Sequence, residues 1–279
     1  MAATLLHGKP VSEAVISELR QVVQALDRTP RLEMIRVGDD PASVIYGEAK
    51  AKAANRVGIR SQLRALPADV GQDKLADLVK DLNGDADVDG ILLQLPVPAH
   101  LEAEAVLELI DPDKDVDGLS TRSAGRLWTG QTALTPCTPA GLLRILDYYR
   151  LPVEGRFTVI VGRSNLVGKP AAALFLRRHA TVALAHSRTR DLGGLSRQAD
   201  IIVAAAGQPG LVGKDMVGPG AVVLDVGLTR VAGKIRGDVD PEVAQVAGYL
   251  TPMPGGTGVM TVAMLMHNTV EAARRRAGG

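Results

Sequence analysis

The chain has 279 residues, 46% of them apolar, with 32 basic and 31 acidic side chains and a formal net charge of +1. That length allows two domains with sizeable cores, and the apolar fraction excludes wholesale disorder. Balanced charge excludes a global attraction to nucleic acid or an anionic membrane, while a single cysteine, Cys137, excludes an internal disulfide and suits a reducing compartment.

In chain order, the start MAATLLHGKPV has too short an apolar stretch for a signal peptide, and no run approaches the roughly 20 residues of a membrane span, so a cytoplasmic protein is expected. Pro10 to Leu26 reads as an amphipathic helix, Arg31 to Val37 as a strand, Pro41 to Val57 as a helix and Ile59 to Leu66 as a strand. Gln72 to Leu82 follows as a helix and Val88 to Leu93 as a buried strand. Gly118 to Thr135 is polar and irregular and reads as a linker. Thr138-Pro139 opens a helix through Tyr149, with a cap and a first-turn proline. Strands at Phe157 to Val161, Thr181 to Ala185, Ile201 to Ala204 and Ala221 to Val226 come next, and Met260 to Arg274 is a long helix with apolar positions at helical spacing. The Arg274 to Gly279 tail is expected to fray. Strands alternating with helices predict an α/β fold with parallel sheets. There is no repeat, no low-complexity tract and no metal-ligand pattern.

The run Phe157-Thr-Val-Ile-Val-Gly162-Arg163-Ser164-Asn165-Leu166-Val167-Gly168 is the most informative segment. A β-rich run stops at a glycine and reopens as a helix, which is how a dinucleotide pyrophosphate site is built: unpaired amides at the helix N-terminus face the phosphates. Two glycines six residues apart do not match G-x-G-x-x-G, and a plain structural turn is the alternative. A nucleotide triphosphatase loop is excluded, because the spacing before Gly168-Lys169 is one residue too long and Pro170 stands where a magnesium-binding hydroxyl belongs.

The next strand ends in His186-Ser187-Arg188-Thr189, where an NAD site places an acid for the ribose 2′-hydroxyl. No acid is present. Ser187, Arg188 and Arg163 suit a 2′-phosphate, so NADP is expected over NAD, although Arg188 also reads as a solvated surface charge.

Tyr46 and Lys50 share one face of the helix after Pro41. A lysine whose basicity is lowered by desolvation is an acid or base near neutral pH, and a tyrosine beside it can hold a planar ring. An ordinary surface pair with the lysine lying over the ring is the alternative. Short-chain dehydrogenases also use Tyr-x-x-x-Lys, but after their cofactor strand, whereas here the pair comes first. Gln94 ends a buried strand at the carboxyl edge, where it can bind substrate, fix Lys50 or simply satisfy backbone groups. Asp117 is a turn acid that can equally accept adjacent donors from a heterocycle.

These residues and their surroundings resemble the bifunctional methylenetetrahydrofolate dehydrogenase/methenyltetrahydrofolate cyclohydrolase family, often called FolD. The resemblance runs through VGDDPASVIYGEAKAKAANRVGI, DGILLQLPVP, PDKDVDG, TPCTPAGLLRIL, VIVGRSNLVGKP, TVALAHSRT, ADIIVAAAGQP, GAVVLDVGL, GDVD and TPMPGGTGVMTVAMLMHNTV, in order and over nearly the whole chain. It implies an α/β protein with an N-terminal catalytic, folate-binding domain (1–135), a Rossmann-type NADP-binding domain (136–257) and a C-terminal helix (258–279) returning to the first domain. It also implies a homodimer serving one-carbon metabolism and purine biosynthesis, with a cleft between the domains used for two reactions. NADP would oxidise 5,10-methylenetetrahydrofolate to the methenyl cation, and water would then open this to 10-formyltetrahydrofolate.

By the same resemblance Lys50 is the central acid/base, Tyr46 stacks on the folate, Gln94 orients Lys50 and Asp117 binds the pterin amide edge; these four form the expected catalytic set. Gly162, Arg163, Ser164 and Ser187 match cofactor positions, and Gly168, Arg188 and Thr229 are added to them. Pro254, Gly255, Gly256 and Gly258 form a loop whose bare backbone can approach both ligands, or a hinge. Thr261 caps the last helix or touches a ligand.

The chain departs from the family pattern in three places. Val259 replaces a usual proline, Thr229 a common asparagine, and Leu119 to Leu127, including Ser123, replaces a Phe-His pair and an asparagine. These leave the chemical residues intact while bearing on folate affinity and the ratio of activities. A dehydrogenase with little cyclohydrolase activity and a non-catalytic NADP-binding regulator are the rival readings; retention of Lys50, Tyr46, Gln94 and Asp117 disfavours the latter. ATP-dependent formate ligation is not expected.

Overall fold

The computed structural model describes residues 2–231 and 233–277. The first half contains β1 (Thr4–Leu5), α1 (Gly8–Gln24), β2 (Arg31–Val37), α2 (Pro41–Val57), β3 (Arg60–Leu66), α3 (Gln72–Gly84), β4 (Gly90–Leu93), α4 (Ala103–Leu109) and α5 (Thr121–Trp128). The second contains α6 (Cys137–Tyr148), β5 (Phe157–Val161), α7 (Gly168–Arg177), β6 (Thr181–Ala185), α8 (Leu192–Arg197), β7 (Ile201–Ala204), β8 (Val222–Asp225), β9 (Thr229–Val231), β10 (Lys234–Arg236), β11 (Tyr249–Leu250) and α9 (Gly258–Ala277). Among the described residues, 13–137 with 262–277 form one compact unit and 2–12 with 138–261 another.

The first unit is built on a parallel sheet of order β3-β2-β4, with Leu32 opposite Gly90 and Ile35 opposite Leu93. All four residues of β4 are buried, so it reads as a continuous apolar run, as a strand covered on both faces does. Ile35, Leu75, Val79, Ile91, Leu93 and Val106 meet in its core. Helix α2 starts sharply because the Asp40 carboxylate accepts from the Ser43 amide at 2.8 Å and Pro41 sits in the first turn; it ends at Gly58 in the left-handed conformation (φ 94°). Buried acids are neutralised locally: Glu33, fully buried, accepts from Nε of Arg31 and of Arg64, each at 2.8 Å.

The second unit is a six-stranded parallel sheet of order β1-β11-β8-β7-β5-β6 beside a small antiparallel hairpin of β9 and β10. Strand β5 is the switch point: the next strand, β6, lies on one side of it, and β7 returns to the other. In open α/β sheets the ligand crevice opens at the carboxyl ends of the strands flanking such a point.

Several expectations are corrected. Near the start of the expected 1–135 domain, Thr4 and Leu5 pair in parallel with Tyr249 and Leu250 as an edge strand of the second unit's sheet. The expected linker, Gly118 to Thr135, contains helix α5, capped by the Ser120 hydroxyl accepting from the Ser123 amide. Thr138 is not a cap but lies inside α6, which opens at Cys137. Arg274 to Arg276 do not fray: they belong to α9, and Arg276 Nη2 donates to the Ala86 carbonyl at 2.7 Å. The last two residues of the expected tail lie outside the described residues.

Lys114 holds the end of α3. Its buried ammonium donates to the carbonyls of Leu82 (3.0 Å), Asn83 (2.7 Å) and Asp85 (2.7 Å), groups a helix C-terminus leaves without intrahelical partners. Lys114→Met keeps the stem and strands three acceptors, so urea unfolding should show a loss of about 2 kcal/mol; an unchanged midpoint would remove this role.

Candidate active site

In the first unit, α2 places Tyr46 and Lys50 one turn apart. Tyr46 is 46% exposed, while Lys50 is half-buried and its Nζ donates to Gln94 Oε1 at 2.6 Å. Gln94 is fixed in turn: its backbone amide donates to Ile35 O at 2.8 Å, extending the β2–β4 ladder, and its Nε2 donates to Leu95 O at 3.0 Å, which leaves Oε1 facing the lysine. Burial pulls the Lys50 pKa below the usual lysine value, opposed by the negative charge of Asp117. Burial conversely raises the Asp117 pKa, opposed by the Lys50 charge. The sequence places these groups far apart; the fold joins Lys50, Gln94 and Asp117 into one electrostatically coupled set.

The Asp117 turn is rigid. Gly118 has φ +65°, and a Cβ there would stand 2.8 Å from Leu134 O and 2.9 Å from Pro136 N. Two residues that the sequence reading passed over hold it. Asn268 of α9, buried, donates from Nδ2 to Val116 O and Thr135 O, both at 2.8 Å, tying the segments on either side of the turn. Cys137 Sγ donates to Val116 O at 3.5 Å, and burial drives its thiol pKa well up, so it stays protonated. The signal for Asn268 was present: a polar side chain at helical spacing from Met264 and Leu265 on an apolar stripe. Asp115, also buried, accepts from Ser120 N (2.9 Å) and Ser123 Oγ (2.7 Å), so the divergent segment forms its own network.

In the second unit, backbone packs on backbone at the end of β5. Gly162 has φ +125°, and a Cβ on it would lie 2.0 Å from Ala205 O; a Cβ on Gly168 would lie 2.0 Å from Gly162 O. Neither position admits a side chain. The expected phosphate-facing amides at the start of α7 are corrected: those of Val167 and Gly168 donate to Ser164 Oγ at 3.1 and 3.4 Å. Among the described residues no protein group accepts from the amides of 163–166, so the loop ahead of the helix, with exposed Arg163 and Ser164, is what presents donors.

At the end of β6, the His186 amide donates to Thr189 Oγ1 at 2.9 Å and the Arg188 amide to His186 Nδ1 at 3.1 Å. This tight turn leaves Ser187 and Arg188 exposed beside the glycine turn, whose Gly162 amide donates to Ala185 O at 2.9 Å. Thr229 sits on β9 instead, its hydroxyl 3.5 Å from Gly207 O in the loop after β7.

The Pro254–Gly258 loop is anchored at Thr257, whose hydroxyl donates to Asp225 O at 2.8 Å, and at Gly255 O, which accepts from Gly8 N at 2.9 Å. Gly255 needs its glycine for φ +107°, and Gly256 for a close approach to Pro252 O; at Gly258 a Cβ would meet nothing within 4 Å. Thr261 shares a hydrogen bond with Thr138 Oγ1 at 2.8 Å. A cavity of about 690 Å³ in this unit is lined by Asp225, Arg236, Thr251 and Met253 and by none of the expected site residues.

A parallel sheet with a glycine turn at its switch point, and a desolvated lysine held by an amide in a separate α/β unit, define the class: a dinucleotide-dependent α/β enzyme. Residues 6–117 match the model of the tetrahydrofolate dehydrogenase/cyclohydrolase catalytic domain, and residues 136–277 that of the tetrahydrofolate dehydrogenase/cyclohydrolase NAD(P)-binding domain. The chain belongs to the tetrahydrofolate dehydrogenase/cyclohydrolase family. It is 52% identical over 279 residues to the bifunctional protein FolD of Thermus thermophilus, covering 100% of this chain and 99% of that protein. Among solved structures it is similar to the bifunctional FolD of Campylobacter jejuni (TM-score 0.95, 44% identity, 99% and 100% of the two chains). It is also similar to the Trypanosoma brucei dehydrogenase-cyclohydrolase complexed with NADP and an inhibitor (TM-score 0.93, 36% identity, 100% of both).

The Lys50–Gln94 contact makes a measurable statement about charge. An acceptor on the ammonium favours the charged form, so Gln94→Met should lower the Lys50 pKa further. Amine-acylation rates followed against pH would show the inflection moving to lower pH; an unmoved or raised inflection would count against the contact.

Proposed function

We infer that this chain oxidises 5,10-methylenetetrahydrofolate with NADP and hydrolyses the resulting 5,10-methenyltetrahydrofolate to 10-formyltetrahydrofolate. The observation that carries the reading is Lys50: partly desolvated, held at 2.6 Å by Gln94 and coupled to Asp117 within the catalytic-domain match. NADP, when bound, accepts the hydride that leaves the one-carbon bridge. Every other demand falls on the protein.

In hydrolysis, water must lose a proton as it attacks the methenyl carbon, and a ring nitrogen must gain one as the bridge opens. A lysine of lowered pKa can take the first proton and return one, while Gln94 keeps the amine aimed whichever state it is in. Tyr46, exposed one turn away, offers a ring face for the pterin. Asp117, on its rigid turn, offers a carboxylate to adjacent N–H donors of the heterocycle.

NADP fits the second unit on its own geometry. The Gly162–Gly168 packing brings bare backbone to the switch-point crevice, and Arg163, Ser187 and Arg188 stand exposed in two neighbouring turns without an acid among them. Ser164 Oγ has a dual role: it closes the first turn of α7 and leaves the preceding loop to the pyrophosphate. The bare backbone at Gly258, which nothing in its own unit requires, suits the close passage of a ligand. Thr229 is assigned to the cofactor through its place beside Gly207, and Pro254, Gly255, Gly256 and Thr261 to the substrate side. The division into a folate-binding and an NADP-binding domain, the homodimer and the cytoplasmic setting belong to the same reading and rest on the family resemblance. The family membership and full-length similarity to bifunctional relatives favour this reading over the dehydrogenase-only and regulator alternatives.

Lys50→Met should reduce methenyl hydrolysis by at least about 100-fold, in the range for removing a general acid/base, with unfolding by urea little changed; hydrolysis at the wild-type rate would end the assignment. Arg163→Ala should raise the KM for NADP about tenfold, a loss of about 1.4 kcal/mol, and that for NAD much less. Equal effects on the two would exclude a 2′-phosphate contact.

A further inference from the structure

The GDVD motif, Gly237 to Asp240, has so far no part in the site. Asp238 is fully buried, and its Oδ2 accepts from the amides of Ala206 (2.6 Å) and Gly207 (2.8 Å), the residues that follow β7. Its own amide donates to Asp225 Oδ1 at 3.0 Å, and Asp225 accepts in addition from Gly227 (2.9 Å) and Val239 (3.2 Å). Five backbone amides thus face two buried carboxylates. Two glycines permit the approach: a Cβ on Gly237 would stand 1.8 Å from Asp225 Oδ2, and one on Gly227 2.3 Å from Asp238 Oδ1. Burial, together with the neighbouring Asp238 charge and against the amides, pushes Asp225 up to about 6. Asp238 Oδ1 has no hydrogen-bond partner among the described residues.

So costly an arrangement has one conspicuous product: the position of residues 205–207. That loop is the β7 lip of the switch-point crevice, and Gly162 rests on Ala205 O without room for a methyl group. A shift of Ala206 and Gly207 therefore displaces the glycine turn itself.

We propose that Asp238, seated on Asp225, is a positioning residue for the dinucleotide, fixing the β7 lip against which the Gly162 turn is set. The proposal rests on the NADP reading above. Its chemistry is confined to the cofactor, so the two activities should separate: hydrolysis of 5,10-methenyltetrahydrofolate consumes no dinucleotide.

The test is made on the full chain. Asp238→Ala should raise the Kd and KM for NADP about tenfold while methenyl hydrolysis, assayed without NADP, stays within about twofold of wild type. Asp238→Asn, which retains a carbonyl oxygen for both amides, should recover most of the NADP affinity. Should Asp238→Ala not fold, Gly227→Ala displaces the same carboxylate by contact and should give the same selective loss. Equal loss of both activities, or unaltered NADP affinity in a folded variant, overturns the proposal. A wild-type chain lacking methenyl hydrolysis would instead overturn the functional reading beneath it.

Discussion

Lys50 must be dry enough to part with its proton and yet held still enough to use it. Those requirements conflict, because stripping water from an ammonium removes the hydrogen bonds that would otherwise orient it. Gln94 resolves the conflict with a neutral acceptor: its Oε1 fixes the amine without adding a negative charge that would restore the usual pKa. The charge in the vicinity comes from Asp117, itself half-buried and disfavoured as an anion, so the opposition to desolvation is partial. Much of the first unit serves this balance. Strand β4 ends where Gln94 must stand, Asp40 and Pro41 fix where α2 begins, and Asn268 ties down the segments that present Asp117.

The second unit works by exclusion of side chains. Gly162 against Ala205, Gly168 against Gly162 and Gly237 against Asp225 are contacts in which a single methyl group would collide with an oxygen. Backbone that close is rigid without relying on large apolar residues, and it leaves peptide groups at the surface where a phosphate can reach them. Polar anchors add to the rigidity of this unit: Ser164 closes its own turn onto the Val167 amide, Thr257 holds the end of β8, and Asp225 and Asp238 accept from loop amides distant in sequence.

Where pattern and physics coincide, the sequence was legible. Arg31 to Val37, apolar at Leu32, Met34, Ile35 and Val37 between Pro30 and Gly38, and Ile201 to Ala204, an unbroken apolar run, are both strands with those limits. Helix α2 was bracketed by Pro41 and Gly58. The strand-end position of Gln94 made a contact with Lys50 one of three options, and the family resemblance chose among them, because 44 residues separate the two and no local signal encodes the contact. The misses share a cause. Helix α5 is too short and polar for periodicity to reveal, and its cap is a serine among several; β1 is two residues long and is defined by its partner β11, far along the chain. Cys137 and Asp238 act on backbone atoms distant in sequence, which no residue pattern announces; Asn268 did interrupt an apolar helical stripe, but nothing local named the carbonyls it reaches.

The Ser120, Ser123 and Asp115 network bears on how such a chain can drift. Asp115 is 1% exposed, and side-chain donation to it comes from Ser123. A chain without the Ser123 hydroxyl leaves the buried carboxylate to backbone donors, the Ser120 amide first among them. Substitutions at 115, 120 and 123 are therefore coupled through one carboxylate, and their effects on the turn that presents Asp117 do not simply add.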